Sequence, residues 1–284
     1  MIWFDCHNHL QFSRLGDPAP LLAAMHSAGV ERCVVNATCE AEWAAVAALA
    51  RAYPESLIPA FGIHPNHAHL AGGPGQVLRL ASSSLASCDA HQAGGPWQER
   101  LAGLLDEFPR AGVGECGLDR RAGAPGMDLQ MPLFLGQLRL ARDRCRTLTI
   151  HCVKAWGRLA DALAEEPPPP RFLLHGFAGS VETARQLLPM GAYFSFCGEF
   201  LQARRAAVLD VFRQLPPERI LLETDAPDML PPPAWVSHPL PDSCNHPANL
   251  PAIGRGLAAA LGMPVADIAN LTTRNARACF ADAS

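Results

Sequence analysis

Lysine is almost missing from this chain: Lys154 is the only one, and arginine supplies all the remaining positive charge. The two cations together number 23 against 27 acidic residues, for a formal net charge of -4. That balance argues against a broad basic face that coats long duplexes, but not against a grip on one strand end. Abundant Ala, Pro and Arg make a biased genome the simplest reason for the missing lysine. Long apolar runs are missing too, since none approaches the roughly 20 residues of a membrane span. No basic n-region and apolar h-region precede a cleavage site, so the expected location is the cytoplasm, with no membrane partner. The ten cysteines include no CxxC pair, which makes reduced thiols the default. No GxGxxG follows the first apolar run, which counts against a dinucleotide-binding open sheet.

What the chain does have is rhythm. Short β-rich runs recur at IWFDC near residue 2, RCVVNA near 32, SLIPAFG near 56, AGVGECG near 111, LTIHC near 148, FLLHG near 172, AYFSFC near 192 and RILLETD near 219. Each leads to a candidate helix or to a long loop before one, as in AEWAAVAALARAY from Ala41 and the amphipathic stretch from Met127. Eight such units predict a single-domain (β/α)8 TIM barrel spanning 1-284, a fold that routinely runs to ~250 residues. Hydrophobic residues at 49% and charged residues at 18% fit one large core. Residues 73-96, rich in Gly, Ser and Ala and holding Cys88 and His91, read as an extended surface loop before a helix near Trp97. PPPP at Pro167 to Pro170 ends the fifth helix before the sixth strand.

In such a barrel, side chains at the C-terminal ends of different strands converge on one mouth. His7 and His9 follow strand one, His64 follows strand three and Glu115 ends strand four. His151 ends strand five, His175 strand six and Asp225 strand eight. One histidine at a strand end is ordinary; this many at the same end suit one or two divalent ions that activate water. Strict period-2 alternation would put Asp5, His7 and His9 on one side of strand one and Cys6 and Asn8 on the other. By the same rule Cys6, Cys116 and Cys152 would point away from the site, into the layer between sheet and helices.

The ordered set DCHNHL, GIHP, GVGECGLD, IHC, LHGFAGS, ETDAP and TTRNARACF resembles the TatD-like metal-dependent hydrolases of the amidohydrolase superfamily, almost end to end. Asn245 and Pro247 are similar to the family's Asn-x-Pro after strand eight, although the preceding loop, with Pro231 to Pro233 and Trp235, is longer than usual. The resemblance implies a divalent-metal-dependent hydrolase, chiefly a DNase of exonuclease type acting on DNA or other nucleic-acid strand ends. It implies that His7 and His9 hold one metal, that Glu115 bridges two, that His151 and His175 hold the second, and that Asp225 is both ligand and general base. It makes His64 a contact for substrate phosphate. Mg2+, Mn2+ and Zn2+ all remain open as the ion, and a monomer is the working expectation. Where the family commonly has aromatic residues after GLD, this chain has Arg120 and Arg121, and near the strand-five histidine it has Val153 and Lys154. Those three cations would form a phosphate clamp beside the metals. Glu223 and Asp119 are each open between a supporting contact and a structural ion pair. The same ligands could also hydrolyse a small ester, amide or lactone, and a non-catalytic barrel subunit is the third reading.

Overall fold

The structure, a computed structural model, describes residues 1-71 and 96-281. Eight parallel strands run in sequence order: β1 (Trp3–Asn8), β2 (Val30–Asn36), β3 (Leu57–Phe61), β4 (Gly112–Asp119), β5 (Leu148–Val153), β6 (Phe172–Leu174), β7 (Ala192–Phe196) and β8 (Ile220–Leu222). β1 also packs against β8, so the sheet closes on itself as a (β/α)8 TIM barrel. The helices are α1 (Pro18–Ser27), α2 (Glu40–Ala52), α3 (Trp97–Glu107), α4 (Met127–Asp143), α5 (Trp156–Glu165), α6 (Val181–Leu187), α7 (Ala206–Phe212), α8 (Leu250–Leu261) and α9 (Val265–Cys279). The expected loop at 73-96 lies outside the described residues except for Pro96, which precedes α3. Among the described residues no single helix is long and apolar enough to cross a membrane, and the nine described cysteines form no disulfide with one another.

The apolar residues form two layers because strand side chains alternate between the faces of the sheet. The larger cluster joins Cys33, Val35, Leu57, Ile150, Phe172, Phe194 and Leu222 to helix residues such as Trp43, Leu101, Phe134 and Ile253. The smaller one holds Phe4, Cys6, Val34, Ile58, Ala60, Leu173, Tyr193 and Leu221 with Ala276, Cys279 and Phe280. This second set fills the barrel's interior and is closed from the strand N-terminal end by the last turn of α9, where Phe280 stacks on Phe4 at 6.0 Å. With that end sealed by apolar contacts, the polar residues are left for the C-terminal mouth.

Two strands break the expected alternation, and both lead into that mouth. Between Asp5 and Asn8 on β1 the paired residues on β2 advance only from Cys33 to Val35, so β1 carries one extra residue. β4 does the same, since Val113 to Cys116 pairs with Leu148 to Ile150. The bulge in β1 corrects the period-2 expectation. Cys6 points into the interior cluster, while Asp5 turns to Asn8 Nδ2 (3.1 Å) and to Thr224 at the start of the loop after β8. Cys116 belongs to the outer layer as expected, and so does Cys152. On β4, Gly117 is required: its φ is +140°, and a Cβ there would lie 1.9 Å from the His151 carbonyl oxygen. The glycines of GVGECG thus let β4 approach β5 closely, which carries Glu115 towards His151.

Candidate metal centre

Glu115 is the hub of a buried cluster, and its two oxygens face different neighbours. Oε2 lies 3.4 Å from His7 Nε2 and 3.4 Å from His9 Nε2. Asp225 Oδ1 completes that half, 3.3 Å from His7 Nε2 and 3.4 Å from His9 Nε2. Oε1 lies 2.8 Å from His175 Nε2, 3.0 Å from His151 Nδ1 and 3.4 Å from His64 Nε2. The sequence-predicted set His7, His9, His64, Glu115, His151, His175 and Asp225 therefore meets at one end of the barrel, and each residue is less than a tenth exposed. Asp225 stands three residues past the end of β8, with left-handed backbone (φ 52°), and its N–H donates to the His7 carbonyl at 2.9 Å.

So many ionisable groups in one dry space strain one another's protonation. Burial and the adjacent His175 push the His7 imidazole down to about 4. Burial acts the same way on His9, but the carboxylates of Asp225 and Glu115 outweigh it and raise that ring to about 9. Burial would raise Glu115, yet the positive charge of His175 and the adjoining His151 and His175 ring nitrogens hold its carboxyl well below the usual carboxylate range. Asp225 Oδ1 is buried and has no hydrogen-bond donor among the described residues, although two ring nitrogens stand near it. Nitrogens and oxygens that converge without hydrogen-bond geometry fit a cation between them. The triads His7–His9–Glu115, His7–His175–Asp225 and His64–Glu115–His151 each bring their donor atoms within 4.8 Å of one another.

Outer contacts orient the rings. His9 Nδ1 meets the Asn36 carbonyl at 2.7 Å, and His151 Nε2 meets Asp119 Oδ2 at 3.1 Å. His175 Nδ1 faces Glu223 Oε1 at 3.7 Å, and Glu223 also accepts from Ser195 Oγ (2.5 Å) and from the Gly176 N–H (2.7 Å). Asp119 and Glu223, open in the sequence, thus both lie behind ring histidines. His64 caps a short 3-10 turn, its Nδ1 accepting the Asn66 N–H at 3.1 Å. Burial and His151 push this ring well below its ordinary value, so it is neutral, and its one proton must sit on Nε2. That nitrogen faces Glu115 Oε1 at 3.4 Å and can donate to an oxygen.

Arg120 and Lys154 are exposed on neighbouring loops joined by the Arg120 N–H to Val153 carbonyl bond at 3.0 Å. Arg121 differs, because its guanidinium is engaged by Asp119. Residues that the sequence did not single out also shape the site. Thr224 binds Asp5 through both its N–H and its hydroxyl, Gln130 on α4 pins the Asp119 backbone, and Ser195 holds Glu223. Polarity near a strand end was the only local signal for Thr224 and Ser195, and Gln130, on α4, carried none.

Comparison with known proteins gives the family. The sequence model of the TatD-related DNase family matches residues 4-281. The uncharacterized metal-dependent hydrolase YjjV of Escherichia coli K12 is 31% identical over 230 residues, 80% of each chain. The 3'-5' ssDNA/RNA exonuclease TatD of Edwardsiella piscicida is 30% identical over 279 residues, 95% of each chain. The crystal structure of Escherichia coli YjjV superimposes with a TM-score of 0.81 at 27% identity, covering 99% of this chain and 98% of that one. With the closed barrel and the clustered His, Glu and Asp at its mouth, the chain belongs to the TatD-related DNase family.

Proposed function

We propose that this protein is a metal-dependent phosphodiesterase that trims DNA or other nucleic-acid strand ends in the exonuclease manner. The observation that carries this reading is the division of Glu115, whose Oε2 faces His7 and His9 while Oε1 faces His151 and His175. A single carboxylate so placed suits two divalent ions, one with His7, His9 and Asp225, the other with His151 and His175. The imidazole-rich donor set favours Zn2+ or Mn2+ over Mg2+. Bound there, such ions polarise the phosphodiester and make water acidic enough to be deprotonated near neutral pH.

The chain's own groups then have distinct tasks. Asp225 takes the proton of the attacking water, since its Oδ1 faces the cluster unpaired. His64 donates Nε2–H to a phosphoryl oxygen, and Arg120 and Lys154 attract the phosphates that flank the scissile bond. Reduced thiols and a monomer working in the cytoplasm fit this role. The test uses protein stripped with chelator and reloaded with Zn2+ or Mn2+, assayed on end-labelled single-stranded DNA and on a simple carboxylic ester. Stepwise, metal-dependent shortening of DNA supports the reading; ester turnover with intact DNA would replace it with a carbonyl hydrolase.

A further inference from the structure

Arg121 stands next to Arg120, one of the two exposed loop cations near the mouth, but its geometry separates it from both. Its Nε donates to Asp119 Oδ2 at 2.8 Å, its Nη2 approaches the same oxygen at 2.5 Å, and its own backbone N–H donates to Asp119 Oδ1 at 2.8 Å. Asp119 has a fully buried side chain, and its backbone is clamped by Gln130, which accepts from the Asp119 N–H at 2.7 Å and donates to the Asp119 carbonyl at 2.8 Å. The remaining donor to Oδ2 is His151 Nε2 at 3.1 Å. A ring that donates through Nε2 presents a bare Nδ1, and His151 Nδ1 is the nitrogen that faces Glu115 Oε1 at 3.0 Å and His175 Nε2 at 3.2 Å.

We infer that Arg121 is a positioning residue: with Gln130 it holds Asp119 so that His151 keeps its proton on Nε2 and offers Nδ1 to the cation on the Oε1 side of Glu115. The inference rests on the proposed role of His151 as a metal ligand. Arg121 is therefore not a free member of the phosphate clamp expected from the run Arg120–Arg121. A planar fork suits this task better than an ammonium, because Nε and Nη2 can both address the carboxylate while the backbone N–H takes the other oxygen. A carboxylate held by three donors cannot rotate, and the ring that leans on it cannot either. Half of the Arg121 side chain remains exposed, 52%, so its replacement leaves the packed layers intact.

The experiment is calorimetric titration of stripped protein with Zn2+ and with Mn2+, alongside KM and salt dependence on single-stranded DNA at saturating metal. Wild type should bind two ions. Asp119→Asn should weaken the second by ~10- to 100-fold, the usual scale for losing an outer partner of a metal-bound imidazole. Arg121→Ala should weaken the same ion by up to ~10-fold and Arg121→Lys by less, with the first ion, KM and salt slope unchanged. Arg120→Ala should leave both metal affinities alone. The inference is overturned if Arg121→Ala leaves metal affinity intact while KM rises and the salt slope falls by ~1, since Arg121 would then be a phosphate contact. A different failure, in which wild type binds one ion and His151→Ala does not disturb it, overturns the two-ion reading and this inference with it.

Discussion

The two halves of the candidate metal centre share Glu115 but are supported in different ways. On the Oε2 side, His9 leans on the backbone carbonyl of Asn36, and His7 Nδ1 has no partner among the described residues. On the Oε1 side, His151 Nε2 meets the buried carboxylate of Asp119 at 3.1 Å, while His175 Nδ1 faces that of Glu223 at 3.7 Å, an ionic contact beyond hydrogen-bond reach. The first half is therefore placed by the course of the chain, through the bulge in β1 and the left-handed turn at Asp225. The second is placed by side chains, which substitution can remove one at a time. A backbone carbonyl survives any mutation of its residue; a carboxylate does not.

The largest effect should come from the residue common to both halves. Glu115→Ala removes an oxygen from each, and hydrolysis should fall by ~10² or more together with the bound metal, read by elemental analysis beside the rate. A variant that keeps two ions and most of its turnover would show that the halves do not depend on a shared carboxylate. Asp225→Asn addresses the Oε2 half alone. It keeps one ligand oxygen and the size of the side chain, so DNA binding should persist while hydrolysis drops by roughly 10². Wild-type turnover in that variant, fully loaded with metal, would end the assignment of Asp225 as base.

Smaller effects probe the contrast between the halves directly. Glu223→Gln should lower the affinity of the ion near His175 by about 10-fold and leave the other ion within a factor of a few, as separate binding isotherms would reveal. Equal weakening of both ions would mean that the centre behaves as one unit. The smallest expected change lies outside the metal shell. Arg120→Ala and Lys154→Ala should each flatten the salt dependence of DNA binding by up to ~1 in slope without altering metal content. An unchanged slope in both would leave the net charge of -4 without a local remedy at the mouth.

Much of this was readable in advance, and the misreadings are informative. Strand ends could be found from short β-rich runs, and their polar residues fell at one end of a barrel because parallel strands all finish on the same side. Alternation holds from Phe4 to Cys6 and fails beyond it, since one inserted residue between Asp5 and Asn8 turns the following side chains over, and the insertion is visible only as a register shift against β2. The doublet Arg120–Arg121 looked like two equivalent cations. They are not equivalent, because the guanidinium of Arg121 folds back on Asp119.

By itself the sequence determined the order of elements, the apolar period that makes eight strands and their helices, and the chemical kinds of residue that reach the mouth. These depend on local pattern, which a chain carries wherever it goes. The tertiary structure decided which oxygen of Glu115 faces which histidine, which ring nitrogen is bare, and which carboxylate stands behind each ring. Those are contacts between residues far apart in sequence, such as Asp5 with Thr224 and Asp119 with His151. Their geometry follows from barrel closure and strand register, properties that arise only when all eight strands are paired.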